Sequence, residues 1–253
     1  INDLRFALRG LSRSPLFAVV AVLSLALGIG ANTAIYTLVD QILLRRLPVK
    51  SPDELVMLYQ RGPHAGNNMG DRMHSYPMYR EFQQRAEPLA EVLARRTIET
   101  SVTIDGQTER LAAEMVSGNY FTMLGVPAAV GRVFSSQEDD RLYDGHPVVV
   151  LSHDYWRTRF ALNPAVLNET LVINGQAMTI VGVAPRGFTS TTLGLEPDVF
   201  VPLTMRAQTN PGWVGFENRR MYFAYLFGRL KPGVSIEQAR PGINAVYSGI
   251  IND

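Results

Sequence analysis

Histidine and aspartate side chains are the residues of this chain best suited to bind a metal ion or transfer a proton. His64, Asp71 and His74 share a stretch that is rich in glycine and asparagine. A second group surrounds a short apolar run, and its members are Asp144, His146, His153 and Asp154. Neither group has the helical or paired spacing of a zinc site, so we favour solvated loops and predict no metal ion and no other cofactor.

The sequence motifs of common enzyme classes are absent. The chain has no Gly-x-x-x-x-Gly-Lys-Ser/Thr loop for ATP phosphates, no Gly-x-Ser-x-Gly nucleophile and no cysteine. Gly28-Ile-Gly30 lies inside an apolar run without a preceding strand, which is not the context of a dinucleotide site. The net charge of +1 gives no basis for nucleic-acid binding. We predict that the chain is not an enzyme and binds no nucleic acid.

An uncharged apolar run extends from Pro15 to Val39. Its large apolar side chains together favour membrane insertion by roughly 5 kcal/mol, and no charge opposes them. About 20 apolar residues are enough to cross the hydrocarbon core of a bilayer. The run therefore predicts a transmembrane helix.

Apolar residues continue at helical spacing beyond this run, which predicts one helix over residues 15–47 that ends before Pro48. Such a helix is roughly 48 Å long, so part of it would project from the membrane as a stalk. A cleavable signal peptide is the alternative, because small residues follow the apolar run at 28–31. The length of the uncharged run favours the membrane span.

Three arginines precede the span, at positions Arg5, Arg9 and Arg13. On a helical wheel they share one face of residues 1–14, and leucine and alanine occupy the other face. This pattern predicts a short helix that lies at the membrane interface with its arginines among lipid headgroups. The positive-inside rule then places the N-terminus in the cytoplasm and the rest of the chain outside it.

Small residues recur at four-residue spacing inside the span, at Ala26, Gly30 and Ala34. A ridge of small side chains allows a second membrane helix to approach closely. Because small residues are also common in membrane helices that make no such contact, both interpretations stay open.

After Pro48 the sequence alternates short strands and helices, separated by turn residues. The predicted strands are 55–60, 92–97, 101–104, 111–116, 148–151, 171–173, 178–183, 198–201 and 224–230. The predicted helices are 76–85, 118–124, 153–159 and the stretch from 235 onward, with Ser75 and Ser152 as caps. This order favours an α+β body with two lobes. Residues 48–116 and 198–253 would form a membrane-proximal lobe, and residues 117–197 an inserted second lobe.

Aromatic residues are unusually dense near the C-terminal end, at Trp213, Phe216, Tyr222, Phe223 and Tyr225. Core packing is the favoured interpretation, and a surface for a partner protein is the alternative.

A series of nine different short motifs is distributed along almost the whole chain. These are Asp3-Leu-Arg-Phe-Ala-Leu-Arg, Leu25-Ala-Leu-Gly-Ile-Gly-Ala-Asn-Thr-Ala-Ile-Tyr, Val116-Ser-Gly-Asn-Tyr-Phe, Leu124-Gly-Val-Pro, Gly131-Arg-Val-Phe, Leu151-Ser-His-Asp-Tyr-Trp, Ile173-Asn-Gly-Gln, Ile180-Val-Gly-Val-Ala-Pro and Gly228-Arg-Leu-Lys-Pro-Gly-Val-Ser. In this order they resemble the MacB/FtsX-like family of ABC transporter permeases, and more narrowly the duplicated permeases abundant in acidobacteria.

The resemblance implies a permease subunit of a bacterial inner-membrane transporter that acts in efflux or export. Its extracytoplasmic domain would stand between the first two of four spans, with a porter-like lobe and an inserted lobe. The expected partners are a cytoplasmic ABC ATPase subunit, membrane lipid, a second permease copy or half, and a periplasmic protein. The long first helix would transmit the motion of the ATPase. A receptor ectodomain and a membrane-tethered hydrolase are the competing hypotheses.

Overall fold

The computed structural model describes residues 15–39, 47–59, 72–104, 106–135, 141–142, 147–192 and 194–252. The chain divides into two compact units, Ile1–Arg46 and Leu47–Asp253.

Within its described residues, 15–39, the first unit forms one apolar helix, α1, over Pro15–Val39. At 1.5 Å per residue, its 25 residues extend about 38 Å, which is more than a hydrocarbon core requires. Residues Pro15–Thr37 have a mean hydropathy of 2.0 and none of them is buried, so this helix is long and apolar enough to cross a membrane. The hydroxyls of Thr33 and Thr37 donate to carbonyls one turn earlier, each at 2.8 Å, which satisfies these polar groups within the helix.

The predicted continuation of this helix falls mostly outside the described residues, at 40–46. Leu47 is described and is not helical, so the prediction of helix through this residue is wrong at its last position. The chain turns here before Pro48, where proline disfavours a helical conformation in the preceding residue.

The second unit contains ten strands and five further α-helices within its described residues. The strands are β1 Leu55–Leu58, β2 Met73–His74, β3 Ala90–Ile104, β4 Gln107–Val116, β5 Val130–Gly131, β6 Val148–Leu151, β7 Thr170–Ile173, β8 Gln176–Val183, β9 Val199–Pro202 and β10 Ala224–Leu230. The helices are α2 Tyr76–Arg85, α3 Tyr120–Leu124, α4 His153–Phe160, α5 Arg206–Thr209 and α6 Ile236–Asn252.

All ten strands belong to one mixed sheet, with the order β1-β10-β3-β4-β9-β6-β8-β5. Strand β2 also pairs with β10, and β7 pairs with both β3 and β8. The pairings from β3 through β4, β9, β6, β8 and β7 return to β3, so these six strands close into a ring. Strands β6, β7 and β8 of the predicted inserted lobe thus share this ring with β3, β4 and β9. The division into two lobes stays a prediction.

Alternating residues of the strands build two cores on opposite faces of the sheet, since successive side chains of a strand point to opposite sides. One core contains Leu93 and Val116 together with α3, and we call this side the α3 face. The other contains Val92 and Met115 together with α2, and we call it the α2 face.

Local sequence signals determine most element boundaries. Helix α2 has the predicted bounds, and the Ser75 hydroxyl accepts a hydrogen bond from the backbone N–H of Met78 at 3.4 Å. The Ser152 hydroxyl caps α4 in the same way, and Gly125 ends α3 with a φ of +68°. One prediction is wrong: the two strands expected at 92–97 and 101–104 are one continuous strand, β3, because β4 pairs with it from Arg95 to Ile104.

Candidate functional site

The predicted membrane contacts lie on or before α1. Ala26, Gly30 and Ala34 are exposed along this helix, and a Cβ added at Gly30 would meet no atom within 4 Å. The ridge is therefore open, as a helix–helix or helix–lipid contact requires. Its use as a packing surface stays a prediction. Arg5, Arg9 and Arg13 lie outside the described residues.

The structure gives no support to the two histidine groups as metal sites. His64, Asp71, Asp144 and His146 lie outside the described residues, which contain no group of three potential metal ligands. His74 belongs to the core, where it is 1% exposed and packs edge-on against Phe82 at 5.7 Å between ring centroids. Burial lowers the pKa of His74 to about 4, because a charged imidazole loses its hydration there.

The dense aromatic residues near the C-terminal end are mostly core residues, as the favoured interpretation predicted. Phe216, Tyr222 and Phe223 are buried, whereas Trp213 and Tyr225 are half-buried. Trp213 stacks edge-on against Phe216 and Phe223, with centroid distances of 4.6 Å and 4.9 Å. These rings pack on the α2 face of the sheet.

An ion pair is buried on the α3 face, between Arg95 of β3 and Glu114 of β4. Arg95 Nη1 donates to Glu114 Oε1 at 3.0 Å, and the two side chains are 4% and 0% exposed. The guanidinium also lies 5.2 Å from the ring centroid of Tyr225 and 5.4 Å from that of Phe227. A buried pair of this kind needs further hydrogen bonds to offset the loss of hydration.

Those hydrogen bonds come from the segment between β4 and β9. The Tyr120 hydroxyl donates to Glu114 Oε2 at 3.2 Å, and the Ser190 hydroxyl donates to Oε1 at 3.0 Å. Arg95 also donates to the hydroxyl of Thr192. Burial raises the pKa of Glu114, and the charge of Arg95 and the hydroxyl donors oppose that rise. The network thus fastens residues of 117–197 to the central strands.

Sequence reasoning missed this network. The one available signal is that Arg95 follows Leu93 at two-residue spacing, which places a charge on the inward side of a strand. The partner Glu114 is distant in sequence and is brought near only by the β3–β4 register, in which Arg95 faces Val116 and Thr97 faces Glu114.

Several residues of the sequence motifs hold neighbouring segments of the fold together. Ser117 accepts a hydrogen bond from the backbone N–H of Ala94 at 3.0 Å, and Asn119 Nδ2 donates to the carbonyl of Val92 at 3.0 Å. A Cβ added at Gly182 would lie 2.0 Å from the Arg132 carbonyl oxygen, so β5 and β8 approach this closely only because glycine is present.

Arg229, from the last motif, joins three segments. Its Nε donates to the carbonyl of Met123 at 2.7 Å, and its Nη1 donates to the carbonyl of Ser51 at 3.0 Å. Its guanidinium also lies 3.6 Å from Glu54. A cation at the end of α3 satisfies carbonyls that lack helical partners.

A groove of about 660 Å³ follows strand β1 and helix α6. Val56, Leu58 and Ile243 give it apolar walls, and Arg240 and Asn244 add polar groups. Strand β1 pairs only with β10 among the described strands, so its other edge borders this groove.

The architecture is that of an apolar helix, long enough to cross a membrane, followed by a sheet-rich α+β domain. Residues 18–246 match the model of the MacB-like periplasmic core domain. The chain therefore belongs to this family, which forms an extracytoplasmic part of ABC transporter permeases.

Solved structures have the same fold at low sequence identity. The chain is similar to the periplasmic region of MacB from Actinobacillus actinomycetemcomitans, with 13% identity, a TM-score of 0.58, and coverage of 79% of this chain and 84% of that one. It is also similar to the extracellular domain of the noncanonic ABC-type transporter YknZ from Gram-positive bacteria, with 12% identity, a TM-score of 0.54, and coverage of 74% and 88%. No curated protein sequence matches the chain.

Proposed function

We propose that this chain is part of a permease subunit of a MacB-like ABC transporter, and that it transmits the motion of a cytoplasmic ATPase to the extracytoplasmic domain. The observation that carries the proposal is the family match over residues 18–246, which includes most of the apolar helix α1 as well as the body. A match that covers the apolar helix and the body together supports an anchored role for the body.

The described body favours mechanical transmission over catalysis. Two of its buried ionisable sites are engaged in packing: Arg95 and Glu114 pair with each other, and His74 is enclosed by the core. The described residues contain no group that could hold a metal ion. An efflux or export role requires a body that moves as a unit, and one continuous ten-stranded sheet provides such a body.

Association with an ATPase tests the proposal directly. The full-length permease, expressed with its genomic neighbours and purified in detergent, is expected to carry an ABC ATPase subunit with it. A protein that never associates with an ATPase, and whose gene has no ATPase neighbour, would contradict the proposal.

Orientation in the inner membrane needs its own test. Because the chain contains no cysteine, Ser12→Cys and Glu169→Cys each introduce a single reactive thiol. In intact cells, a membrane-impermeant maleimide should label the exposed position 169 and leave position 12 unlabelled until the membrane is permeabilised. The reverse pattern would place the body in the cytoplasm and overturn the proposed coupling.

The ridge of small residues on α1 is proposed to contact a second permease copy or half. Gly30→Leu should reduce association between labelled permeases in detergent by several-fold, because the larger side chain keeps the helices apart. Gly28→Leu is the matched control, since this glycine is equally open but lies on another side of the helix. Equal effects of the two variants would argue against a contact through Ala26, Gly30 and Ala34.

A further inference from the structure

Two arginines converge on the α2 face, Arg96 of β3 and Arg206 of α5. Arg206 Nη1 lies 3.9 Å from Met115 Sδ, and Arg96 is the cross-strand neighbour of Met115. Arg96 Nη1 donates to the carbonyl of Phe223 at 2.8 Å, and the Arg206 guanidinium carbon lies 4.9 Å from the ring centroid of that same residue. Both guanidinium groups therefore contact Phe223.

Neither guanidinium group has a carboxylate within 4 Å among the residues that the structure describes. Arg206 is only 8% exposed. The Nε atoms of both arginines are buried and have no hydrogen-bond partner, and their Nη1 atoms contact only sulfur or a backbone carbonyl. The two Nη2 atoms make no hydrogen bond to the described protein and are not among its buried atoms, so they reach the surface.

Stacking on aromatic rings compensates only part of the hydration free energy that the buried guanidinium group loses. The Arg206 guanidinium lies 4.7 Å from the ring centroid of Trp213, in addition to its contact with Phe223. A cation–π contact recovers less free energy than a buried charge loses with its hydration. Burial, and then repulsion by Arg96, lower the pKa of Arg206 to about 10, so the Arg206 guanidinium still carries a positive charge at neutral pH.

We propose that Arg96 and Arg206 form a binding site for a small oxyanion of the phosphate or carboxylate class. The planar guanidinium group presents its donors in a fork that matches such anions, and here each fork has a surface-facing Nη2 without a protein acceptor. The anion would supply Arg96 and Arg206 with the negative charge that Glu114 supplies to Arg95 on the opposite face. Nothing in this proposal depends on coupling to an ATPase.

Thermal unfolding of the full chain tests the site. The measurement uses maltoside micelles, which contain no phosphate, and compares inorganic phosphate with sodium chloride of equal ionic strength. Phosphate is expected to raise the melting temperature by about 2 to 5 °C beyond the chloride effect, since a ligand that binds the folded state stabilises it. A parallel series with succinate distinguishes the two chemistries. A shift with one anion alone identifies that class, and a shift with neither overturns the proposal.

Single substitutions locate the effect. Arg96→Gln and Arg206→Gln should each abolish the anion-dependent shift, whereas Arg110→Gln should retain it, because Arg110 is 77% exposed and pairs with Glu99. Retention of the shift in Arg96→Gln, or its loss in Arg110→Gln, would overturn the assignment. If Arg206→Gln fails to fold, the half-buried Arg96 variant and calorimetric titration of the unmodified chain with phosphate decide the question. Heat of binding in the unmodified chain that persists in Arg96→Gln would count against the site.

Discussion

Arg95 and Arg96 are consecutive residues of strand β3, and their positive charges are compensated in different ways on the two faces of the sheet. Arg95 points to the α3 face, where it donates to Glu114 and to the hydroxyls of Thr97 and Thr192. Arg96 points to the α2 face, where the neighbouring Arg206 adds a second positive charge and aromatic rings take the place of carboxylates. One side of the sheet thus contains a closed polar network, and the other contains two positive charges that have no carboxylate partner among the described residues.

The difference indicates separate roles for the two faces. A satisfied network of buried groups fixes the segments that contribute to it, here strands β3 and β4 and the residues between β4 and β9. Unsatisfied donors at the surface are available to a ligand instead. We therefore expect substitutions on the α3 face to change stability, and those at the Arg96–Arg206 pair to change anion binding.

The largest effect should come from breaking the ion pair on the α3 face. Glu114→Ala leaves the Arg95 charge buried without its partner, which should lower the free energy of unfolding by about 3 to 5 kcal/mol. Urea unfolding of the full chain in detergent measures this loss. Glu99→Ala, at an exposed ion pair, should change stability by less than about 1 kcal/mol. A loss of similar size in both variants would contradict the distinction between buried and exposed pairs.

The free energy of unfolding should depend on pH because His74 is buried in its neutral form. The pKa of His74 is about 4 in the folded state against an ordinary value of 6.5, so the unfolded chain binds the proton more tightly. Stability is fully present above pH 6.5 and falls as the pH drops towards 4, by up to about 3 kcal/mol.

The measurement for His74 is the urea midpoint at several pH values between 7.5 and 4. His74→Gln should remove this part of the pH dependence while other acidic groups continue to contribute theirs. If the variant and the unmodified chain have parallel pH profiles, the buried histidine is not the group responsible.

A smaller loss is expected when one hydrogen bond of the network is removed. Tyr120→Phe deletes the hydroxyl that donates to Glu114, at an expected cost of about 2 kcal/mol, because the acceptor is charged and buried. Tyr225→Phe is a matched control on the same face, since its hydroxyl makes no hydrogen bond among the described residues. Thermal unfolding should separate the two variants, and equal melting temperatures would argue that the Tyr120 hydroxyl contributes little.

The smallest effect should follow when the pair is replaced as a whole. Arg95→Met and Glu114→Leu, combined with Tyr120→Phe and Ser190→Ala, remove both charges together with the buried hydroxyls that would lose their acceptor, which should leave stability within about 1 kcal/mol of the unmodified chain. The comparison with Glu114→Ala in the same urea experiment separates the cost of an orphaned charge from the net value of the pair. A loss as large as that of Glu114→Ala would mean that the network is stabilising in itself.

Local elements could be predicted from the sequence, and long-range contacts could not. Helix α2 and its Ser75 cap, strand β6, and the hairpin between β7 and β8 follow from signals only a few residues long. The continuity of β3 depends on pairing with β4, and the polar residues Glu99 and Thr100 conceal it in the sequence. Arg95 and Glu114 are 19 residues apart, and Arg96 and Arg206 lie on separate elements, so only the folded register brings either pair together.

Strand β3 has a mechanical consequence for the whole domain. Its 15 residues extend roughly 50 Å, with β10 paired to one end, β7 paired near the other, and β4 along the greater part of its length. Bending such a strand in the plane of the sheet would break hydrogen bonds to its neighbours, so we expect the segment from Ala90 to Ile104 to resist bending in that plane. A force applied at one end of β3 should therefore displace the end that pairs with β10 and the end that pairs with β7 together.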